Sequence, residues 1–212
     1  MRITPRLLFS SLCIAGTLLA IACSSTTVTT PTATPGDAGA TDPDAAPAED
    51  SATPEPPAPF KLTSAALEEG ATFPKDNTCN GTEKSPDFAW GPGPEGTLSY
   101  AIVFNDETLG FLHGVTYDIP ATVNALPAAL ENTYEPAKAP GVKQSLSYKP
   151  NRYGYAGPCP PSGEDTYEFV LYALKVDTLA NVTKTSTRAA VEIEVKKQML
   201  KSTKLTGKYQ QP

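Results

Sequence analysis

The sequence predicts a mostly β protein with few helices, folded as one domain over residues 60–212. Short apolar segments of strand length recur through this range, separated by turn-forming Gly, Pro, Asn and Asp residues. One segment, residues 186–201, has the spacing of an amphipathic helix. A length of about 150 residues suits one compact domain with a single core.

The N-terminus has the layout of a bacterial export signal. Arg2 and Arg6 precede an apolar run over residues 7–22, which is short for a transmembrane helix of ~20 apolar residues. We therefore predict a signal peptide over residues 1–22. A signal that is cleaved elsewhere, or that is retained as an anchor, is the alternative.

The signal ends in a segment that resembles a bacterial lipobox. Small residues precede Cys23, which would become the acylated N-terminal residue, although Ala20 stands where leucine is usual. We expect an exported lipoprotein, held on a bacterial membrane through lipid on Cys23. Ser24 favours the outer membrane, and the periplasmic or surface face is left open.

Residues 23–59 are predicted to be a disordered tether. After Cys23 this segment is rich in Thr, Ala, Pro, Ser and Asp, and it has no Lys, Arg or aromatic residue. It cannot bury enough apolar surface to offset the entropy of ordering. Its six acids account for most of the chain's negative charge, which leaves 15 basic and 17 acidic residues in residues 60–212. A domain without basic excess has no electrostatic footprint for nucleic acid.

The strands before the proline-rich loop are predicted in chain order. Residues 60–64 alternate as an edge strand would, residues 70–74 form a second short extended piece, and residues 85–90 end in the single tryptophan, a core anchor. Residues 98–104 form the clearest strand, with Asn105, Asp106 and Glu107 at its end. Residues 113–120 then return antiparallel.

The second half of the domain contains a rigid loop and a helix. Residues 121–150 are irregular, with one helical turn predicted at 126–130. Three prolines and three glycines in residues 153–163 fix a loop that feeds a strand over residues 167–176. Such a loop forms one wall of a ligand site, or is a plain structured turn. The helix at 186–201 is followed by a short strand at residues 204–209.

The helix is expected to present one apolar face to the core. Ala190, Ile193, Leu200 and the stem of Lys197 fall near one side of it.

Two cysteines remain in the exported domain, Cys79 and Cys159. An oxidising compartment favours a disulfide between them. A metal site is not supported, because the chain has one histidine and neither cysteine has a close Cys or His partner. No cofactor is expected.

Taken in order, the segments of residues 60–212 resemble the phosphatidylethanolamine-binding protein (PEBP) family, in its bacterial Raf-kinase-inhibitor-like branch. The resemblance implies a β-sandwich with a large antiparallel sheet, a smaller sheet and a C-terminal helix. The matching segments are residues 60–64, residues 78–81, Ser85-Pro86, Trp90, residues 99–103 ahead of Asp106, His113 before residues 115–120, and residues 151–163, 167–174 and 205–209.

The resemblance also implies a small pocket that binds anions such as phosphate or a phosphoethanolamine headgroup. Asp106, His113 and Tyr167 match three of the family's pocket residues, and Pro160 and Pro161 match its Pro-Pro loop. A carboxylate beside an imidazole favours the protonated ring, which would then donate to an oxyanion. The resemblance therefore implies that a protonated His113 would donate to the bound anion.

Several positions depart from the family pattern. Asp165 replaces the second histidine of the pocket and Thr166 the following arginine; Gly114 replaces a tryptophan, and residues 107–110 replace a Pro-Asp-Ala-Pro segment. A carboxylate ~4 Å from a bound anion opposes it by ~4 kcal/mol at an effective dielectric constant of 20. The pocket is therefore altered toward a cationic or zwitterionic ligand, or is lost.

The leading hypothesis is a membrane-tethered binding module with a ligand pocket around Asp106, His113, Pro160, Pro161, Asp165 and Tyr167. The alternative is a protein-interaction or inhibitor module of the cell envelope with a degenerate pocket. An enzyme is not expected, because the domain has one histidine and no Gly-x-Ser-x-Gly elbow, and Asp106 with His113 lacks a nucleophile.

Overall fold

The computed structural model describes residues 58–212. The predicted signal peptide, Cys23 and the tether up to residue 57 lie outside the described residues. Within the described range, no helix has both the length and the apolar character that a membrane crossing requires.

The described chain consists mainly of β-strands. Residues Lys75–Asn77 form a 3-10 turn and Arg188–Gln198 form the α-helix, α1. The strands are β1 (Leu62–Thr63), β2 (Ala71–Thr72), β3 (Phe88–Trp90), β4 (Ser99–Asp106), β5 (Phe111–Pro120), β6 (Ala125–Leu126), β7 (Lys143–Gln144), β8 (Glu164–Leu174) and β9 (Met199–Gln210).

The strands form a large and a small sheet, as predicted. The large sheet has the order β2-β9-β8-β4-β5-β7, and the small sheet has the order β1-β3-β6. The pairs are antiparallel except β2 with β9, which is parallel. The mostly β sandwich with a C-terminal helix that the sequence predicts is confirmed.

The two central strands are buried on both faces. On β4, Ile102 and Phe104 point into the core between the two sheets, and Ala101 and Val103 point into a second core. Successive side chains of a strand face opposite sides, so each face needs its own cover. The small sheet covers one face and α1 covers the other. Trp90 is buried in the inter-sheet core, as expected for a core anchor.

The helix α1 packs through a different face from the one predicted. Val191 and Val195 are fully buried, whereas Ile193 is 54% exposed and Leu200 lies on β9 beyond the helix. The predicted face was wrong because Ile193 and Leu200 were given more weight than Val191 and Val195, which lie four positions apart on one side of the helix. Thr187 caps the helix by accepting the N–H of Ala190 at 3.2 Å.

Two other local predictions need correction. The helical turn predicted at residues 126–130 does not form; β6 and turns occupy this segment. The closing strand is longer than predicted, because β9 runs for 12 residues beside β8. Buried Gln144 holds the irregular segment in place by donating to the carbonyls of Glu131 and Thr133 at 2.7 and 2.8 Å.

Candidate functional site

A cavity of about 180 Å³ opens beside the proline-rich loop, at the end of the large sheet. Strands β4, β5 and β8, the turn after β4 and the loop segments between β7 and β8 supply its walls. The lining residues are Asp106, Leu109, Phe111, His113, Tyr148, Cys159 and Tyr167. An interior cavity between the sheets holds only about 30 Å³, room for one or two waters. A surface cavity of about 250 Å³ beside β1 and β3 is lined by none of the predicted ligand-binding residues, so the cavity beside the proline-rich loop is the candidate site.

Asp106 is placed by the end of β4 and by the turn that follows it. It pairs in register with Tyr167 on β8, so both side chains project from the same face of the sheet. One carboxylate oxygen accepts the N–H of Leu109 at 2.9 Å, which closes the turn between β4 and β5. The side chain is buried, yet it contributes to the cavity wall.

His113 is placed by a β-bulge. Phe104 pairs with Gly114 and Asn105 pairs with Leu112, so His113 has no partner on β4. A bulge of this kind turns a side chain away from the regular pleat. The ring lies 4.7 Å from Phe104 and 5.5 Å from Tyr167, measured between centroids.

The hydrogen bonding of His113 fixes its tautomer. Nδ1 lies 2.8 Å from the carbonyl oxygen of Ala156 in the proline-rich loop. Because a carbonyl only accepts, Nδ1 carries the proton and donates it. In the neutral ring, Nε2 is then a hydrogen-bond acceptor. Among the described residues Nε2 has no partner, and it is not one of their fully enclosed unpaired atoms.

The surroundings of His113 oppose the protonated form that the family's anion pocket would use. Burial lowers the pKa of His113 and outweighs the Ala156 carbonyl and the Asp106 carboxyl, which raise it. Arg188 adds to the lowering, and Glu83 opposes it. The ring is therefore neutral near pH 7 and presents an acceptor rather than a donor.

Asp165 neighbours Asp106, and both carboxyls are buried. Asp165 is 4% exposed, and its Oδ2 has no hydrogen-bond partner within residues 58–212. Burial and the neighbouring Asp106 carboxyl raise the pKa of Asp165. Burial, Asp106 and Asp165 also raise the pKa of Tyr167. Burial is the larger cause of both pKa shifts, and the neighbouring carboxyls add to it.

The proline-rich loop is fixed against the rest of the domain. A disulfide joins Cys159 in the loop to Cys79, 80 residues earlier. Gly157 packs so closely that a Cβ there would lie 2.4 Å from the carbonyl oxygen of Asn77. Buried Tyr155 donates to that same carbonyl at 2.5 Å. The loop therefore holds the Ala156 carbonyl in position for His113.

The structure brings together three of the six predicted ligand-binding residues. Asp106, His113 and Tyr167 line the cavity, and Asp165 neighbours Asp106 without lining it. Pro160 and Pro161 do not line it; their neighbour Cys159 does, and the Pro160 carbonyl accepts a hydrogen bond from Gln211 instead.

Sequence reasoning missed the aromatic walls. Phe111 and Tyr148 both contact the His113 ring edge-on, at centroid distances of 5.3 and 5.0 Å. Phe111 lies two residues before His113 on the same strand, a spacing that could have indicated it. Tyr148 comes from the irregular segment before the proline-rich loop, and no sequence pattern places it there.

Three cationic side chains close to the cavity-lining residues have partners of their own. Lys149 and Arg152 both bond the carboxylate of Glu83, Lys149 at 2.5 Å and Arg152 at 2.7 Å. Arg188 donates its Nε–H to the carbonyl of Leu112 at 2.6 Å, and its guanidinium lies 5.2 Å from the centroid of the Phe111 ring. Neither a Lys nor an Arg is among the residues that line the cavity.

No group of three or more His, Cys, Asp or Glu residues in the described range is arranged to hold a metal ion. The polar side chains that line the cavity carry one carboxyl, one imidazole and two phenols. This arrangement can bind and orient a small polar molecule.

A two-sheet sandwich with a helix over its large sheet and a small polar cavity at the strand ends defines a class of binding-type domain. The sequence profile of the family described as phosphatidylethanolamine-binding protein matches residues 63–210. The chain belongs to this family.

Relatives and solved structures agree with this assignment. A UPF0098 protein of Aquifex aeolicus is 33% identical over 155 residues, covering 71% of this chain and 88% of its own length. The crystal structure of Escherichia coli YbcL, described as a new member of the mammalian PEBP family, matches with a TM-score of 0.64 at 28% identity. That match covers 73% of this chain and 100% of YbcL.

A candidate lipoprotein of Mycobacterium tuberculosis, LppC, is 31% identical over 128 residues. The match covers 58% of this chain and 60% of LppC.

Proposed function

We propose that this chain is an exported, membrane-tethered binding module whose cavity at Asp106, His113 and Tyr167 takes a small polar ligand of headgroup size. One observation carries the proposal. His113 is 3% exposed and lines the cavity, and its Nε2 atom has no partner within residues 58–212. A ligand donor that reaches Nε2 would make a hydrogen bond that no described residue provides.

Membrane tethering is supported by the sequence and by one relative. The lipobox-like segment ends at Cys23, and an acidic, proline-rich segment follows it. LppC, which shares the domain, is itself described as a candidate lipoprotein. Lipid on Cys23 would hold the domain at a membrane.

Binding without catalysis is part of the same proposal. In the described site, Asp106 and His113 have no Ser or Cys nucleophile beside them, because Cys159 is held in the disulfide. Nucleophilic catalysis needs a nucleophile within hydrogen-bond reach of its base. We therefore expect a hydrolase panel to show no activity that depends on His113.

The single histidine gives a direct test of the binding proposal. With the full-length protein labelled at His113, ring resonances are followed by NMR during additions of ethanolamine, inorganic phosphate and phosphoethanolamine. Saturable shifts with at least one of these probes are expected. Ring resonances that respond to none of them would overturn the proposal of a ligand pocket.

A protein-interaction module is the second candidate. Leu109, 56% exposed, and Phe111, 38% exposed, form an apolar rim around the cavity mouth. Exposed apolar residues at a rim also suit a protein partner. A pull-down from envelope extract with the wild type and His113→Ala separates the two, since a rim partner survives loss of the imidazole and a pocket ligand does not.

A further inference from the structure

Resting on the proposed membrane tethering, we propose that the domain docks on the lipid surface through the end of the large sheet opposite the cavity. Strand β4 separates the two ends: Asp106, its last residue, lines the cavity, and Ser99, its first residue, lies at the other end. Eight residues at about 3.3 Å each place the two ends ~23 Å apart. The second end is called the tether-side end below, and it consists of residues 91–98, 175–178 and 198–201.

The first observation is where the tether joins the domain. Ala58 is the first described residue, and the carbonyls of Ala58 and Pro59 pack so closely on Gly91 that a Cβ there would clash with both. Two residues further on, a Cβ on Gly93 would lie 3.2 Å from the Cβ of Ala173, one residue before the end of β8. The chain that arrives from the tether therefore enters the domain at the tether-side end.

The second observation is a cluster of exposed apolar side chains at this end. Leu98 is 53% exposed, Met199 44% and Leu200 41%. The N–H of Leu98 donates to the carbonyl of Leu174 at 2.8 Å, and Leu174 pairs with Met199 across β8 and β9. Leu200 is the bulged residue beside Met199, and a Cβ on Gly96 would lie 4.0 Å from its Cδ1. Clustered apolar exposure indicates a surface that contacts a membrane or a protein.

The third observation is that lysines flank the apolar side chains. Lys175 donates its backbone N–H to the carbonyl of Gln198, and Lys201 pairs with Ala173 on β8. Both lysines are exposed, and neither is in an ion pair within residues 58–212. Apolar side chains that enter the headgroup region, with lysines that reach the lipid phosphates, bind an anionic lipid surface.

Two acids at this end oppose the attraction. Glu95 and Asp177 are exposed, one in the loop before β4 and one after β8. Exposed Lys61, which lines the surface cavity beside Ala58, adds a third lysine near the entry of the tether. Three lysines against two acids leave a small positive balance, so docking depends on the apolar side chains as well as on charge.

The tether compensates for the small size of this surface. Three apolar side chains do not hold a free domain on a membrane, but a tether converts docking into an intramolecular step at high effective concentration. A domain cut from the tether would therefore leave the membrane.

The mouth of the cavity is the competing surface. Leu109 and Phe111 are exposed there, but the Asp106 carboxyl lies in the same wall and Asp165 neighbours it. These carboxyls would oppose an anionic lipid surface. Docking through the tether-side end instead leaves the cavity open to ligands from the aqueous phase.

Fluorescent probes at the two ends of the lipidated protein, residues 23–212, test this orientation. Because Cys79 and Cys159 are joined and Cys23 would carry lipid, one added cysteine can be labelled selectively. Thr178→Cys places a probe at the tether-side end and Glu164→Cys places one at the cavity end; both positions are exposed. Vesicles of phosphatidylglycerol in phosphatidylcholine, with a nitroxide on the headgroup, are expected to quench the first probe and not the second.

Matched variants assign the quenching at residue 178 to the proposed surface. Leu98→Ser/Leu200→Ser is expected to abolish it. Ile193→Ser removes a side chain that is 54% exposed from the middle of α1, and should leave the quenching unchanged. Lys175→Gln/Lys201→Gln should weaken it on vesicles that contain phosphatidylglycerol and have little effect on phosphatidylcholine alone. Thermal melts show that each variant is folded.

The contrary outcomes separate docking from tethering. If the protein sediments with vesicles but quenching occurs only at residue 164, equally at both probes or at neither, the docking proposal is overturned and the tethering proposal stands. Quenching at residue 178 that survives Leu98→Ser/Leu200→Ser would also overturn docking. A lipidated protein that does not sediment with vesicles would overturn both proposals. The response of the His113 ring to small ligands, read on the same sample, reports separately on the binding module.

Discussion

The protonation state of His113 is set by a competition between burial and charge. Asp106 and Glu83 favour the imidazolium, and Arg188 and the loss of water oppose it; Tyr148 and Tyr167 pack on the ring as neutral phenols. Burial is the largest influence, so the pKa of His113 falls below its usual value of 6.5. The residue that a resemblance would make a cationic donor is thus a neutral acceptor.

The lowered pKa of His113 predicts that the stability of the fold depends on pH. A lowered pKa means that the unfolded state binds a proton more readily than the folded state does. His113 therefore favours the folded state above pH 6.5, and this contribution is lost as the pH falls toward and through the lowered folded pKa. We expect an NMR titration of His113 to give a midpoint below 6.5, with a parallel fall in the free energy of unfolding.

The control for this prediction is His113→Gln, which retains a polar side chain without a titrating ring. Its free energy of unfolding should change less with pH between 7 and 5 than that of wild type. A His113 midpoint above 6.5 would contradict the prediction and restore the cationic interpretation.

The contribution of Asp165 to stability has the opposite pH dependence. Its raised pKa favours the protonated form in the folded state, so its contribution is fully present below the unfolded pKa of about 3.9 and is lost as the pH rises through the folded value. Asp165→Asn should therefore stabilise the protein near pH 7 and lose that advantage near pH 3. We expect a gain on the order of 1 kcal/mol, or about 2–4 °C in melting temperature.

Melting curves of Asp165→Asn, wild type and Glu164→Gln at both pH values provide the measurement. Glu164 lies on the same strand but is exposed, so its substitution should have little effect. A lower melting temperature for Asp165→Asn at pH 7 would show that Asp165 is better satisfied than its unpartnered oxygen indicates. A natural residue that lowers the stability of its own fold often serves the function of the protein.

At the residue scale, the sequence predicts which residues line the cavity better than it predicts their protonation and tautomeric states. Asp106, His113 and Tyr167 were found from matched motifs and do meet at one cavity. The tautomer of His113 depends on the Ala156 carbonyl, 43 positions away, and on a bulge that no pattern in β5 reveals. Tyr148 was missed for a similar reason, because an irregular segment brings it to the cavity.

At the element scale, the strands were easier to predict than the helix. The apolar runs of β4 and β8 are long, rich in β-branched and aromatic residues, and bounded by turn residues. The helix α1 is short and covers the sheet with only two valines, so its exposed Ile193 misled the prediction of its buried face. Tertiary packing, and not the size of the apolar residues, selects that face.

The disulfide between Cys79 and Cys159 is the element-scale feature most open to a test. It ties the proline-rich loop, which supplies both the Ala156 carbonyl and part of the cavity wall, to the segment after the 3-10 turn. Closing a loop of this length restricts the unfolded chain, and removal of a native disulfide typically costs about 2–5 kcal/mol. We expect the double variant Cys79→Ala/Cys159→Ala to melt about 5–15 °C lower.

The double variant should also affect the site. If the loop loosens, the His113 Nδ1–H loses its fixed acceptor, and ligand-induced shifts of the ring should weaken. Reduction of the wild type with a thiol should reproduce both effects, and a reductant should have none on the double variant. An unchanged melting temperature would contradict the structural role of the disulfide.

At the scale of the whole molecule, the chain combines a domain with a segment of very different composition. The domain has almost balanced charge, whereas residues 24–59 carry acids and no bases. The fold class and both sheets followed from the ordered segments of residues 60–212. The ligand class did not, because it depends on which hydrogen-bond donors and acceptors remain free once the chain has folded.

The division between tether and domain predicts a specific pattern of release from membranes. If Cys23 carries lipid, the wild type should sediment with membranes and Cys23→Ser should not. A protease that cleaves after glutamate has two sites in the tether, Glu49 and Glu55, and should release an intact domain into the supernatant. At ~3.1 Å per residue in the polyproline II conformation, residues 24–59 would span ~110 Å, which leaves these sites accessible.

The matched control is the double variant Glu49→Gln/Glu55→Gln, which keeps the tether length and composition but removes both sites. It should remain on the membrane at a protease concentration that releases the wild type. The released fragment should keep the disulfide and the His113 response to ligand, because every group that builds the cavity lies within residues 60–212. Sedimentation of Cys23→Ser with membranes would instead indicate a retained N-terminal anchor, and a fragment cut within the sheets would contradict the boundary at residue 60.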